Sequence, residues 1–133
     1  MAKTDLLTKN QALVYGVLEK ANEPVSAYSI LERLRDHGFR APLQVYRALD
    51  KLLELGKIHR LESLNAFVAC SHPVGEHGHG ATIFAICENC GKVTEFHDAV
   101  IDKRLADWEA SKQFKAEKTT IEIRGFCQDC RDA

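Results

Sequence analysis

Apolar residues recur at helical spacing from Asp5 to Ala21, with Leu6, Leu7, Leu13, Val14, Val17 and Leu18 forming the stripe, and Asn22-Glu23-Pro24 stops the run. Ser26 supplies an N-cap for a second helix with Ile30, Leu31 and Leu34 inward, ending at His37-Gly38. After Arg40-Ala41-Pro42 the pattern predicts a third helix from about Leu43 to Leu55, burying Val45, Leu49, Leu52 and Leu53 and halted by Gly56. Lys57–Leu61 and Ala66–Cys70 then alternate or run apolar around Ser63-Leu64-Asn65, the pattern of a β-hairpin. Three helices followed by a hairpin is the winged helix-turn-helix arrangement, whose third helix enters the major groove of DNA. An ordinary small helical domain with a hairpin fits the same pattern.

The periodicity lapses over residues 71–81, a Gly/His-rich stretch with little core-forming power that reads as a hinge. Beyond it the pattern predicts a strand (Thr82–Ile86), a knuckle, and a second strand (Lys92–Phe96). An amphipathic helix over about Ala99–Lys112 follows, with Val100, Leu105 and Trp108 inward, and then a third strand over Thr119–Arg124. The expected fold is therefore α+β: a winged helix-turn-helix domain over residues 1–70, the hinge 71–81, and a β-β-α-β module over 82–133.

Composition adds three constraints. Apolar residues make up 45% of the 133-residue chain, enough for a real core but thin once divided between two modules, so a metal staple would help the smaller one. No apolar run approaches the length of a membrane span and no signal-peptide pattern is present, so the expectation is a cytoplasmic protein with no membrane partner. The net charge of −1 gives no support of its own for nucleic-acid binding; residues 1–65 carry +2 and residues 66–133 carry −3, a mild asymmetry that permits a DNA-facing first half.

The chemistry lies in the cysteines. Four of the five form two CxxC pairs, Cys87/Cys90 and Cys127/Cys130, and the order of strands puts both pairs at strand ends, where they can meet. Two such hooks make a closed tetrahedral S4 shell, the usual structural zinc site. A redox CxxC would sit in a βαβ context and would not come twice. Five thiols in a reducing compartment favour ligation over disulfides. A second group, His59, Cys70, His77, His79 and Glu95, with His72 and His97 nearby in sequence, lies on the hairpin, the hinge and the strand after it.

Longer stretches carry a family likeness. Gln44-Val-Tyr-Arg-Ala-Leu-Asp50 with Leu53-Glu-Leu-Gly56, then Ile58-His-Arg-Leu-Glu-Ser63, Phe84-Ala-Ile-Cys-Glu-Asn-Cys-Gly-Lys-Val93 and Gly125-Phe-Cys-Gln-Asp-Cys130, resemble the ferric uptake regulator (Fur) family, most closely its zinc uptake regulator branch. The likeness runs from about Leu7 to Cys130. It implies a homodimer paired through the C-terminal modules, so that residues 82–133 form a dimerisation and metal-binding domain. It further implies two winged helices reading an inverted-repeat operator, and a metal that switches DNA affinity by fixing the angle between modules.

By the same resemblance the sensing zinc takes His59, Cys70, a hinge histidine and Glu95, which with the cysteine quartet makes two Zn²⁺ per subunit. The family's hinge ligand stands seven residues before the first CxxC, where this chain has Gly80; His79 is favoured on distance, with His77 as the alternative. Thiolate in the sensing set favours zinc over iron or manganese. A third site of iron-type relatives needs a histidine where this chain has Thr119, and is expected to be absent. On the third helix Arg47 is the candidate for bidentate readout of guanine and Tyr46 for a thymine methyl or a phosphate. Gln44, Arg40 and Lys51, with Lys57 and Arg60 on the wing, are read as backbone-positioning contacts. Where relatives carry Pro-Gln-Arg this chain has Lys9-Asn10-Gln11. Glu32 and Arg35 fit either a contact between dimers on DNA or an ordinary i,i+3 pair.

The function expected from these features is a zinc-responsive repressor of zinc uptake genes. Sensing of iron, manganese, nickel or peroxide by the same family scaffold is the alternative, and zinc storage a more distant one. Four protein ligands leave a metal no open position, so no enzyme is expected.

Overall fold

The structure, a computed structural model, describes residues 7–21, 23–70 and 80–131. The chain divides into two compact units, Met1–Val74 and Gly75–Ala133.

In the first unit α1 (Lys9–Ala21) begins four residues later than the hydrophobic stripe suggests. The cause is a reciprocal cap: Gln11 N–H donates to Thr8 Oγ1 at 3.1 Å, and Thr8 N–H donates to Gln11 Oε1 at 3.1 Å. This capping box satisfies two N-terminal donors and sets where the helix starts. Helix α2 (Ala27–Arg33) starts at Ser26, whose hydroxyl accepts from Ser29 N–H, and runs through a 3₁₀ turn (Arg35–His37) to Gly38 at φ 95°. The Glu32–Arg35 pair closes within the chain at 3.1 Å.

Helix α3 (Pro42–Glu54) has proline in its first turn. The preceding Ala41 has no side chain that can cap, so Gln44 reaches back instead; its Oε1 accepts from Arg40 N–H at 2.6 Å and from Ala41 N–H at 3.0 Å. The hairpin follows as β1 (Ile58–Leu61) and β2 (Ala66–Ala69), antiparallel with Ile58 opposite Ala69, turning at Asn65 in the left-handed region. Val25 pairs with Phe67 through two 2.9 Å backbone bonds, which tie the wing to the segment before α2. Val14, Leu18, Ile30, Leu31, Val45, Leu49, Leu52, Ile58 and Phe67 close one core.

The second unit is a three-stranded sheet in the order β4-β3-β5, where β3 is Thr82–Cys87, β4 Val93–Phe96 and β5 Thr120–Gly125. Strand β4 runs antiparallel to β3, and β5 runs parallel to it after crossing over through α4 (Ala99–Lys112). The parallel register sets Cys87 opposite Gly125, so each CxxC leaves the same end of the sheet. Asp98 caps α4 by accepting from Val100 N–H and Ile101 N–H.

Of the expected inward stripe of α4 only Leu105 is half-buried. Val100 and Trp108 are 73% and 50% exposed, and Ile101, Asp102 and Glu109 join Leu105 as the half-buried positions. A polar contact fixes the turn of the helix: Asp102 Oδ1 accepts from Ala81 N–H at 2.8 Å, which holds the 101–102 side against the start of β3. Hydropathy cannot register that bond. Trp108 instead stacks at a tilt on Phe114, with ring centroids 5.4 Å apart.

Candidate metal centre and nucleic-acid interface

Cys87 ends β3 and Cys90 follows through a turn that needs a left-handed residue, Gly91 at φ 80°. Gly91 N–H donates to Cys87 O, and Cys87 N–H to Lys92 O. The second hook closes on itself through Cys130 N–H and Arg131 N–H, both donating to Cys127 O. Two contacts bind the hooks together: Glu88 N–H to Gly125 O at 2.7 Å, and the Arg124 Nε–Glu88 Oε2 pair at 2.9 Å.

As a result the Sγ atoms of Cys87, Cys90, Cys127 and Cys130 all lie within 4.8 Å of one another, with Cys90 and Cys127 at 3.8 Å. A tetrahedral zinc with Zn–S near 2.3 Å requires sulfur–sulfur edges of roughly 3.8 Å, so the donor set fits that ion in number, chemistry and size. Backbone N–H groups add the outer support such sites need. Cys90 N–H points at Cys87 Sγ, and the Asn89 amide donates to Cys130 Sγ at 3.3 Å.

The electrostatics of the metal-free quartet are uneven. Hydrogen bonding from the Cys90 backbone, aided by that of Cys127, draws the Cys87 thiol down to about 6. At Cys130 the Asn89 amide is the largest single influence and lowers the thiol, but Cys127, burial, Cys87 and Cys90 together outweigh it and push the group up to about 11. Cys90 is likewise raised, since its Cys87 and Cys127 neighbours and burial outweigh the Lys92 backbone bond. Without a cation the cluster thus stabilises one thiolate at the expense of its neighbours; a divalent ion removes that conflict.

A second pair of ligand types sits in the first unit. His59 lies on β1 and is buried. Cys70 directly follows β2, its N–H bonded to Lys57 O at 2.9 Å, and their ligand atoms lie within 4.8 Å of each other. Glu95 belongs to the second unit, on β4, with its Oε2 3.5 Å from His97 Nε2. His72, His77 and His79 lie outside the described residues.

Helix α3 buries Val45, Ala48, Leu49 and Leu52 and turns Arg47, Tyr46 and Lys51 outward, with Tyr46 43% exposed. Arg40, just before the helix, is also exposed. Four of the residues expected to meet DNA are already engaged within the chain, among them Lys51, whose Nζ lies 3.4 Å from Glu54 Oε1. Gln44 caps α3, Lys57 Nζ sits 5.5 Å from the Tyr15 ring centroid, and Arg60 donates to Asn65 Oδ1 at 3.1 Å with its guanidinium over Phe67. The residue pattern alone gave no sign of the Gln44 cap or of the Asn89 and Arg124 contacts, although Thr8-x-x-Gln11 was a readable capping box.

The sequence model of the ferric uptake regulator family matches residues 6–124. The zinc uptake regulation protein of Escherichia coli K12 is 34% identical over 125 residues, covering 93% of this chain and 72% of that one. The Mycobacterium tuberculosis protein of the same name is 29% identical over 128 residues, covering 93% of each. Among solved structures, holo XcZur superposes with a TM-score of 0.84 at 37% identity, covering 96% of this chain and 87% of that one. A zinc uptake regulator complexed with zinc and DNA gives 0.85 at 32% identity, covering 94% and 83%.

Proposed function

The chain belongs to the ferric uptake regulator family, and from that membership we propose that it is a zinc-responsive transcriptional repressor of zinc uptake genes. It binds an inverted-repeat operator as a homodimer when zinc fills a regulatory site. The observation that carries the reading is the His59/Cys70 pair, an imidazole and a thiol within 4.8 Å, supplied by the wing-bearing unit and separate from the cysteine quartet. A mixed nitrogen–sulfur set suits zinc better than iron or manganese. The relatives named for zinc uptake regulation, and the one solved with zinc and DNA, support the same choice.

In this proposal the subunit holds two zinc ions. The quartet keeps the second unit in one shape at any zinc level, and His59, Cys70, Glu95 and a hinge histidine, His79 or else His77, form the sensor. Residues 1–70 bind DNA, 71–81 are the hinge, and 82–133 dimerise. Exposed apolar side chains on the second unit, Phe96, Val100, Trp108, Ile123 and Phe126 among them, support a covered face there. Arg47 and Tyr46 read bases, while Arg40, Lys51, Lys57, Arg60 and Gln44 hold the phosphate backbone or the start of α3. The five free cysteines suit the reducing cytoplasm.

The switch needs no new contact to DNA. Bound zinc supplies a link among side chains drawn from the hinge and its flanks. With His59, Cys70 and Glu95 held together, the dimer keeps its two reading helices at operator spacing. With the ligands released, only a small fraction of dimers is competent, and apparent affinity falls by that fraction.

The test is to select bound duplexes from a random pool at high and at buffered low free zinc, then to repeat with iron(II), manganese(II) and nickel(II) at matched activity. Enrichment of one inverted repeat with zinc alone supports the proposal. Equal enrichment without metal removes the switch, and enrichment with another metal alone changes the signal.

A further inference from the structure

Helix α3 turns a mixed face to solvent. Leu43, Tyr46, Arg47, Asp50, Lys51 and Glu54 recur at helical spacing and are all exposed, on the side away from the buried Val45, Ala48, Leu49 and Leu52. The character of that face changes along the helix. Its C-terminal half carries Asp50 and the Lys51–Glu54 pair at 3.4 Å. Its N-terminal half is apolar, aromatic and basic: Leu43 is 57% exposed, Tyr46 is 43% exposed, and Arg47 stands beside them.

A lone exposed leucine is ordinary on a protein surface. Leu43 differs in its setting. Tyr46 and Arg47 lie three and four residues on, where helical side chains share one surface, and the exposed Arg40 lies just before the helix. A recognition helix meets base edges mainly with its N-terminal residues. In the first turn of α3, Pro42 sets the backbone and Gln44 is half-buried, its Oε1 accepting from Arg40 N–H and Ala41 N–H. Leu43 is the first-turn side chain that remains to face a groove. The apolar group that a base edge presents in the major groove is the C5 methyl of thymine.

We propose that Leu43 is a specificity residue of the DNA interface, packing its side chain on the C5 methyl of a thymine in the half-site where Arg47 grips guanine. The proposal rests on the reading of α3 as the recognition helix. Four residues of helix span about 6 Å and base pairs stack about 3.4 Å apart, so this thymine lies within about two steps of that guanine. The basic neighbours supply attraction to phosphate whatever the sequence. Leu43 adds preference at one position. Burying one methyl group corresponds to about fourfold in affinity, and the two half-sites of an inverted repeat multiply this to about fifteenfold.

The experiment uses the zinc-loaded full chain and the inverted repeat enriched in the selection above. Each thymine is replaced by deoxyuridine, which pairs in the same way and lacks only the methyl, symmetrically in both half-sites. Affinities are measured for wild type and Leu43→Ala. Wild type should lose about fifteenfold at one symmetric pair of thymines, whereas Leu43→Ala should bind the thymine and uracil forms of that pair within about twofold. Leu43→Met keeps the apolar reach and should recover most of the preference. The slope of affinity against salt should be the same in all three proteins, because residue 43 neutralises no phosphate. Helical melting should not move, since Leu43 is mostly exposed.

Methyl effects that persist unchanged in Leu43→Ala belong to another residue, such as Tyr46, and overturn the proposal while leaving the DNA-binding reading intact. Wild-type affinity that is indifferent to every thymine methyl does the same. So does an enriched repeat with no thymine within about two steps of the guanine whose preference is lost in Arg47→Ala. Failure to enrich any duplex at any zinc level overturns the DNA-binding reading and the Leu43 contact with it.

Discussion

Replacing Cys127 by Ser should unfold the second unit and spare the first. In the second unit the large side chains closed off from water are Ile83, Phe84 and Ile86, at 0%, 0% and 4% exposure. At about 1.5–3 kcal/mol for each side chain fully buried, they contribute about 5–9 kcal/mol before any chain entropy is counted. A structural zinc in a small module contributes apparent free energies of about 10–16 kcal/mol near neutral pH. The metal thus outweighs the apolar core of this unit, whereas the first unit closes Val14, Ile30, Phe39, Val45, Leu49, Leu52, Ile58 and Leu61 without one. The sequence contains one tryptophan, Trp108 on α4, which gives a local probe. In Cys127→Ser, or in wild type stripped by a strong chelator, Trp108 emission should shift red with little remaining transition on heating. Far-UV helical signal from α1, α2 and α3 should melt cooperatively as before. Coincident loss of both signals would show the two units to be one cooperative block, and an unchanged Trp108 signal would show that the quartet does not hold the fold.

Other consequences concern single residues. Leu49, fully buried on α3, should cost about 2–5 kcal/mol when changed to Ala, read as a lower melting temperature of the helical signal with the Trp108 transition unmoved. Gln44→Ala removes the acceptor for the two backbone donors that lead into α3, Arg40 and Ala41 N–H, and should cost about 0.5–2 kcal/mol by denaturant titration, with Gln44→Glu retaining most of it. Because the metal-free second unit is unfolded, its four quartet thiols are protonated near pH 7, and folding onto zinc should release about four protons per quartet. Calorimetry in buffers of different ionisation enthalpy counts them. A release of about three would show that the folded quartet, whose Cys87 thiol sits at about 6, persists without the ion.

Much of the first unit was legible because its apolar spacing and its stop signals agree. Ser26, Gly38 and Gly56 all stand where the structure ends or begins an element. The start of α1 was misread because apolar Leu6 and Leu7 extend the stripe, whereas Thr8 and Gln11 decide the boundary by hydrogen bonding. The quartet was legible because CxxC spacing has few structural solutions, and the parallel pairing of β3 with β5 brings the two hooks to one sheet end. The face of α4 was not legible, since one carboxylate on Ala81 N–H sets its rotation against the pull of Val100 and Trp108.

In the proposed function zinc sensing depends on Cys70, the thiol outside the quartet. The direct measurement is fluorescence anisotropy of the inverted repeat enriched in the selection above, titrated with buffered free zinc, comparing wild type with Cys70→Ser. Wild-type binding should depend steeply on free zinc, as the proposed function requires. Cys70→Ser should require at least about tenfold more free zinc while keeping its quartet zinc and its Trp108 signal. Identical zinc curves for the two proteins, or tight binding by wild type with zinc only in the quartet, would contradict it.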